Sequence, residues 1–232
     1  MSNIELWSTN DGPPTRLVRR RDFSEKELED WIHAEPRTLL PDLVWVGRQN
    51  VLPDRSRLDL LGLRPTGEWV VAELKSGIVD VGTLMQAMGY ALNLAALSRA
   101  ELERVLGAPS DENKSLLNSA LDQWAEGNRP LQLLLVGTRR SSRLASATDY
   151  LLESGLSLPI TAITFEIFDG PGGVPIVARN VDEVLPSDSD VYKPKRRMSL
   201  DKVLTLAEDA GIVDTFRAFI AHAEGAGLHV RP

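Results

Sequence analysis

The chain has 232 residues, 43% of them hydrophobic, a formal charge of −7 and no cysteine. That length buries a full core in one domain with at most a small appendage; the missing cysteines exclude a disulfide framework and thiolate chemistry and fit a reducing, cytoplasmic setting. No run of signal-peptide type opens the sequence and no stretch has membrane length, so no membrane partner is expected. The acidic balance argues against a surface attracted to nucleic acid as a whole, yet basic residues cluster at 16–21, 138–143 and 193–197, which leaves room for a local basic groove.

IELWST (4–9), the turn residues NDGPP (10–14) and TRLVRR (15–20) read as a hairpin. Ser24 then stands as an N-cap before Glu25, Glu27 and Glu29, acids that complement a helix dipole, and Leu28, Trp31 and Ile32 give that helix an apolar face that Pro36 ends. LVWVGRQNVL (43–52), the strand around Asp59 and the strand 69–75 are separated by turn signals and predict an antiparallel meander. SGIVDVG (76–82) leads into a helix with Leu84, Met85, Met88, Ala91, Leu92 and Ala95 inward, and two more helical stretches follow near 98–106 and 113–126. LQLLLVGT (131–138) is a continuous apolar run, as expected for a strand covered on both faces. A helix at 141–154 and a strand at 159–169 complete a strand–helix–strand unit with parallel pairing, and DGPGG (169–173) turns the chain back through VPIVAR (174–179). Residues 183–198 are polar and proline-containing and read as a linker before two capped helices at 199–211 and 213–227.

The chemistry concentrates in RLDLLGL (57–63) and WVVAELKSG (69–77). In a strand, residues two apart share a face, so Glu73 and Lys75 lie together with Trp69 and Val71, and Asp59 lies beside Glu73 if the strands are neighbours. Charges are costly in buried strands unless they are paired or bind a metal, and two adjacent carboxylates need a proton or a cation between them. A hard divalent ion with oxygen ligands meets that demand, with the Leu74 carbonyl as a further donor. A lone E-x-K is otherwise an ordinary surface ion pair. Arg48, Arg55 and Arg57 lie close enough to contact phosphates, although such residues are more often a solvated sheet edge. Trp31 and Trp124 follow helical periodicity and read as core or interface residues rather than base-stacking platforms, and His33, His222 and His229 show no metal-ligand spacing.

The order of these features, SEKELEDWIHAEPRTLL, GRQ, RLDLLGL, WVVAELKSG and LMQAMGYA, resembles the PD-(D/E)XK nuclease superfamily, and within it the nuclease domain of the NucS/EndoMS mismatch endonucleases. The likeness covers about residues 24–95 and extends over 131–169. It implies an α/β fold of restriction-endonuclease type, a central mixed β-sheet flanked by helices, here with a C-terminal helical appendage. It implies metal-dependent hydrolysis of DNA phosphodiesters, with Mg²⁺ or Mn²⁺ as cofactor and a water activated by the ion as nucleophile. Asp59 and Glu73 match the metal-binding acids, Glu25 matches the helix acid near the metal with Glu29 in reserve, and Lys75 matches the catalytic lysine. Gln86 and Tyr90, at i and i+4, match a helix motif that orients the water or contacts the nucleic-acid backbone, which with Arg48 and Arg57 gives the expected nucleic-acid contacts.

The loop before Asp59 lacks a literal Pro-Asp pair, and only about 23 residues precede the nuclease-like helix where the NucS enzymes carry a separate dimerisation and DNA-binding domain. Mismatch specificity is therefore not carried over. The expected organisation is a nuclease-like domain over 1–182, a linker over 183–198 and a helical appendage over 199–232 that offers a surface for a homodimer or a partner protein. Repair and defence are both open as pathways. The alternative is a non-catalytic nucleic-acid- or protein-binding module that keeps the fold within a larger complex.

Overall fold

A computed structural model describes residues 4–9, 12–20, 22–107, 113–154 and 158–184, the side chains at 152–153 and 182–184 excepted, and scattered positions between 204 and 221. The expected meander is present: β4 (Val44–Val51), β5 (Arg57–Leu63) and β6 (Trp69–Leu74) pair antiparallel in sequence. Two parallel strands extend it, β8 (Leu131–Gly137) on β6 and β10 (Ile160–Asp169) on β8, and β11 (Pro175–Val184) returns antiparallel on β10. The sheet is thus mixed, in the order β11-β10-β8-β6-β5-β4, with helices on both faces.

The covering helices explain the sequence of the central strands. All six residues of β6 are buried, and so are six of the seven in β8, because neither face meets water. On one face, α1 (Glu25–Ala34) sets Leu28 and Ile32 against Val70, Ala72, Leu74, Leu134 and Val136. A capping box between Ser24 and Glu27 starts this helix, and Glu35, just before Pro36, caps its end. On the other face lie α2 (Val81–Ala96), α3 (Arg99–Leu106), α4 (Lys114–Ala125) and α5 (Ser142–Glu153). Leu84, Met88, Ala91 and Leu94 of α2 pack with Trp69, Val71, Leu133 and Leu135. The inward side of α2 therefore uses Leu94, whereas Leu92 and Ala95 are only half-buried. Trp124 is fully buried, edge-on to Trp69 at 5.4 Å, with its indole N–H donated to the Leu97 carbonyl at 2.9 Å. Trp31, half-buried, packs against Phe23 and Phe165 at the edge of the core, so both tryptophans serve packing, in line with their periodicity.

Two expectations change. The N-terminal hairpin forms only between β1 (Trp7–Ser8) and β2 (Thr15–Arg16); β3 (Val18–Arg19) leaves it and pairs with Phe168 and Asp169 at the end of β10. β11 continues to Val184, past the expected start of the linker, because its pairing with β10 holds over the full ten residues. The rest of the linker lies outside the described residues, as does most of the C-terminal helical pair; the positions described there, among them Leu204 and Val213, are helical, and these two pack against the core.

One close approach fixes the segment that follows β6. Lys75 N–H donates to the Val136 carbonyl at 2.8 Å, the Thr138 hydroxyl donates to the Ser76 carbonyl at 3.0 Å, and β7 (Ile78–Val79) pairs parallel with β9 (Arg139–Arg140). Gly137 allows this: a Cβ there would stand 2.5 Å from Val79 Cγ2 and 3.0 Å from the Gly77 carbonyl. Gly137→Ala should lower stability by about 1–3 kcal/mol through overpacking. Gly89→Ala in α2, where a Cβ meets nothing within 4 Å, should be neutral or stabilising by up to about 1 kcal/mol. Urea unfolding of the two variants measures the contrast, and equal midpoints would refute the packing argument.

Candidate active site

The site is built where the sheet ladder breaks. Arg48 pairs with Leu60 and Asn50 with Leu58 across β4 and β5, which sets Gln49 opposite Asp59. Leu60 pairs with Ala72 across β5 and β6, and one further step sets Asp59 opposite Glu73. Gln49, Asp59 and Glu73 therefore form one polar row across three strands. Asp59 takes over the role of the missing ladder acceptor: its Oδ2 accepts the Leu74 N–H at 2.9 Å.

Burial gives this row its electrostatic character. Glu73 has no solvent exposure, and Lys75 donates to its Oε1 at 2.6 Å, while Oε2 is buried with no hydrogen-bond partner. Burial, and after it the charge of Asp59, push the Glu73 carboxyl up to about 8 despite the lysine. Burial also raises Asp59, against the opposing effects of the Leu74 N–H, Lys75, Gln49 and a hydrogen bond shared with Glu73. For Lys75 desolvation works downward, but the hydrogen bond to Glu73 and the charges of Glu73, Glu25 and Asp59 outweigh it, so the ammonium is held above its ordinary range. Lys75 is therefore a charged donor at neutral pH and not a base.

The other expected residues divide. Glu25, on the exposed start of α1, reaches the loop after Lys75, with its Oε2 3.4 Å from the Ser76 N–H. Among the described residues no group of three or more acids or histidines is placed to hold a metal ion, so the expected trio of Asp59, Glu73 and Glu25 is not assembled; the donors brought together are Asp59 and Glu73. The physical reason is that Glu25 sits at the first position of α1, on a different layer from the strand pair. Gln86 is exposed and donates to the Tyr90 hydroxyl at 2.7 Å; that hydroxyl lies in the field of Glu73, Asp59 and Lys75. Tyr90 itself is 6% exposed and packs in the core, and its polar tip is the part that reaches toward the site. Arg48 has partners on the protein itself. Its guanidinium is bonded to α1, to Glu29 Oε1 at 2.6 Å and to Asp30. Arg57 is exposed at the start of β5, near Arg55, with no ion pair between described residues.

The residue that motif reading passed over is Gln49. It appears in the sequence only as part of GRQ, yet its amide nitrogen lies 2.7 Å from Glu29 Oε2 and 3.2 Å from Asp59 Oδ1. The available signal was its place in the strand register opposite Asp59.

No family model matches the chain, and no curated protein matches it. Two solved structures are similar to it in part. A repair endonuclease from Pyrococcus abyssi is 17% identical over 60% of this chain and 46% of its own, with a TM-score of 0.38. The structure of an EndoMS-dsDNA2 complex is 15% identical over 66% of this chain and 62% of its own, also with a TM-score of 0.38. The chain thus spans less than two thirds of either neighbour. At that overlap the functional reading rests on the chain's own residues. The order of helix, meander, acid pair, lysine and second helix is the one that the resemblance in the sequence implies.

A raised carboxylate has a definite thermodynamic sign. In the folded chain Glu73 keeps its proton well above the usual carboxylate range, so its stabilising contribution is fully present at about pH 4.5 and is lost as pH rises toward 8. Asp59, also raised, acts in the same direction. In buffer with a chelator, wild-type stability should fall by a few kcal/mol between pH 5 and 8 relative to Glu73→Gln, which carries no titrating proton at this site. Urea midpoints at several pH values read the difference; parallel profiles for the two proteins would show that Glu73 is ionised throughout.

Proposed function

We propose that the chain is a divalent-metal-dependent deoxyribonuclease that hydrolyses phosphodiester bonds at the Asp59–Glu73–Lys75 site. The observation that carries this reading is the opposition of two carboxylates inside the sheet, with Glu73 Oε2 buried and left without a donor once Glu73 and Asp59 are both ionised. An orphaned buried oxygen beside a second acid is a cost that a cation removes. Mg²⁺ suits the donor set, since it retains waters and is commonly held by one or two carboxylates together with substrate phosphate. Asp59 and Glu73 would hold it, with the Leu74 carbonyl as a further oxygen. The ion would neutralise the acids and make a water acidic enough to serve as nucleophile at neutral pH.

The protein's own residues do the rest. Asp59 is fixed by the Leu74 N–H and Gln49, so its free lone pairs point in set directions. Lys75 brings a permanent positive charge beside Glu73, suited to a phosphate oxygen that gains charge in the transition state. Gln86, exposed and steadied by the Tyr90 hydroxyl, offers a donor or acceptor to the water or phosphate. Glu25 adds an acid at the rim, near the loop at Ser76. Arg57, with Arg55, supplies positive charge near the site against an acidic whole, in keeping with DNA as the partner and with the resemblance to the mismatch endonucleases.

One observation favours a second reading, a non-catalytic module: Lys75 already satisfies half of Glu73 without any metal. Cleavage assays on single-stranded, duplex and branched DNA with Mg²⁺ or Mn²⁺ decide between them. We expect cleavage that a chelator abolishes, and losses of about 10²–10⁴-fold for Lys75→Ala and at least as much for Glu73→Ala. Calorimetric titration with Mn²⁺ should give binding that Asp59→Asn weakens. Identical, metal-independent traces for wild type and variants would rule out the enzyme.

A further inference from the structure

We infer that Gln49 is a positioning residue that aims Asp59 at the metal and couples it to α1 through Glu29, an assignment that rests on the proposed metal site. Gln49 holds a backbone conformation that glutamine adopts only at a cost, with φ at +51° in the middle of β4. Glycine would take that conformation freely. What glutamine adds is its amide. Both oxygens it touches belong to carboxylates, which only accept hydrogen bonds, so the amide nitrogen must face them and uses its two hydrogens on Glu29 Oε2 and Asp59 Oδ1.

Each end of this bridge is secured. Glu29 cannot swing away, because Arg48, the neighbour of Gln49 on β4, holds its Oε1 at 2.6 Å. Asp59 is gripped from its other side by the Leu74 N–H at 2.9 Å. The carboxylate plane of Asp59 is thereby set by one donor from β4 and one from β6. The left-handed turn at Gln49 is what lets a strand residue opposite Asp59 send its amide sideways to both acids, and residues in such conformations gather where function requires them. Outer partners of this kind orient metal-ligating carboxylates, and their loss commonly weakens metal binding by about 10–100-fold.

Mn²⁺ titration of the metal-free protein by calorimetry tests the assignment, with folding checked by circular dichroism. Gln49→Gly keeps the backbone conformation and removes the amide; it should fold and bind Mn²⁺ about 10-fold or more weakly. Glu29→Ala removes the anchor and should weaken binding in the same direction, whereas Glu29→Gln keeps an acceptor for the Gln49 amide and should restore most of the affinity. Wild-type affinity in a folded Gln49→Gly overturns the assignment. If that variant does not fold, wild-type affinity in Glu29→Ala overturns it equally, and so does a Glu29→Gln variant as weak as Glu29→Ala, since that would make the charge of Glu29 the relevant property. A folded wild type that binds no Mn²⁺ removes the metal reading itself, an outcome distinct from the loss of Gln49 alone.

Discussion

The rest of the structure is arranged around two carboxylates that face each other inside a sheet. Asp59 and Glu73 are set opposite by strand register, and Glu73 has no access to water. Like charges directly opposed on neighbouring strands destabilise a sheet even at a surface, and low polarity strengthens the repulsion. The conflict is not incidental to the fold, because the same residues that bury the acids build the core. Val71, two residues before Glu73, and Leu74, the residue after it, pack into opposite cores, under α2 and α1 respectively. Removing the strain by exposing Glu73 would require uncovering β6, the strand on which both cores rest. The acids therefore stay, and the chain meets the cost locally: a proton kept on Glu73, a lysine on one of its oxygens, an N–H and an amide on Asp59.

These local supports come from elements distant in sequence, which is how the fold holds the site rigid. β6 supplies the Leu74 N–H, β4 supplies Gln49, and β8 carries the loop after Lys75 on its own carbonyl edge. Gly137 permits that last approach by having no side chain. The Arg48 pairs with Glu29 and Asp30 tie α1 to β4, and Glu29 is largely buried, so this link is worth more than the usual exposed ion pair. A site braced from three strands and one helix can hold an unfavourable charge arrangement that a loop would relax.

Much of this frame was legible in the sequence. The double-sided burial of β8 followed from an unbroken apolar run, the α1 start from Ser24 and its acids, and the meander from turn chemistry between period-2 stretches. Asp59, Glu73 and Lys75 were legible because strand periodicity is two and their cost in a buried strand demands a reason. Other features depend on contacts that no local pattern encodes. Arg48 looked free because its partners lie on α1, nearly twenty residues earlier, and Tyr90 looked like a surface contact because its motif match says nothing of depth. β3 left the hairpin because β10 offers it a ladder position beyond the end of β8, a competition between distant strands. Gln49 was invisible for a different reason: its role follows from a left-handed φ, and a non-glycine residue carries no sequence mark of that conformation.

The charge balance at the site also bears on how a polyanion would meet it. Asp59, Glu73 and Glu25 surround one lysine, and Arg48, the cation of β4, is already paired with acids of α1. Asp59 and Glu25 outnumber the one lysine even while Glu73 keeps its proton, so a phosphate diester approaching this arrangement alone meets net repulsion. On the nuclease reading, divalent ion and nucleic acid must therefore strengthen one another's binding, and by the same factor in either order, because linkage is reciprocal. The acidic composition of the chain then ceases to count against a nucleic-acid partner. On that same reading the bare site repels the substrate and the loaded one admits it, which makes the two opposed carboxylates the condition for binding as well as the proposed seat of the chemistry.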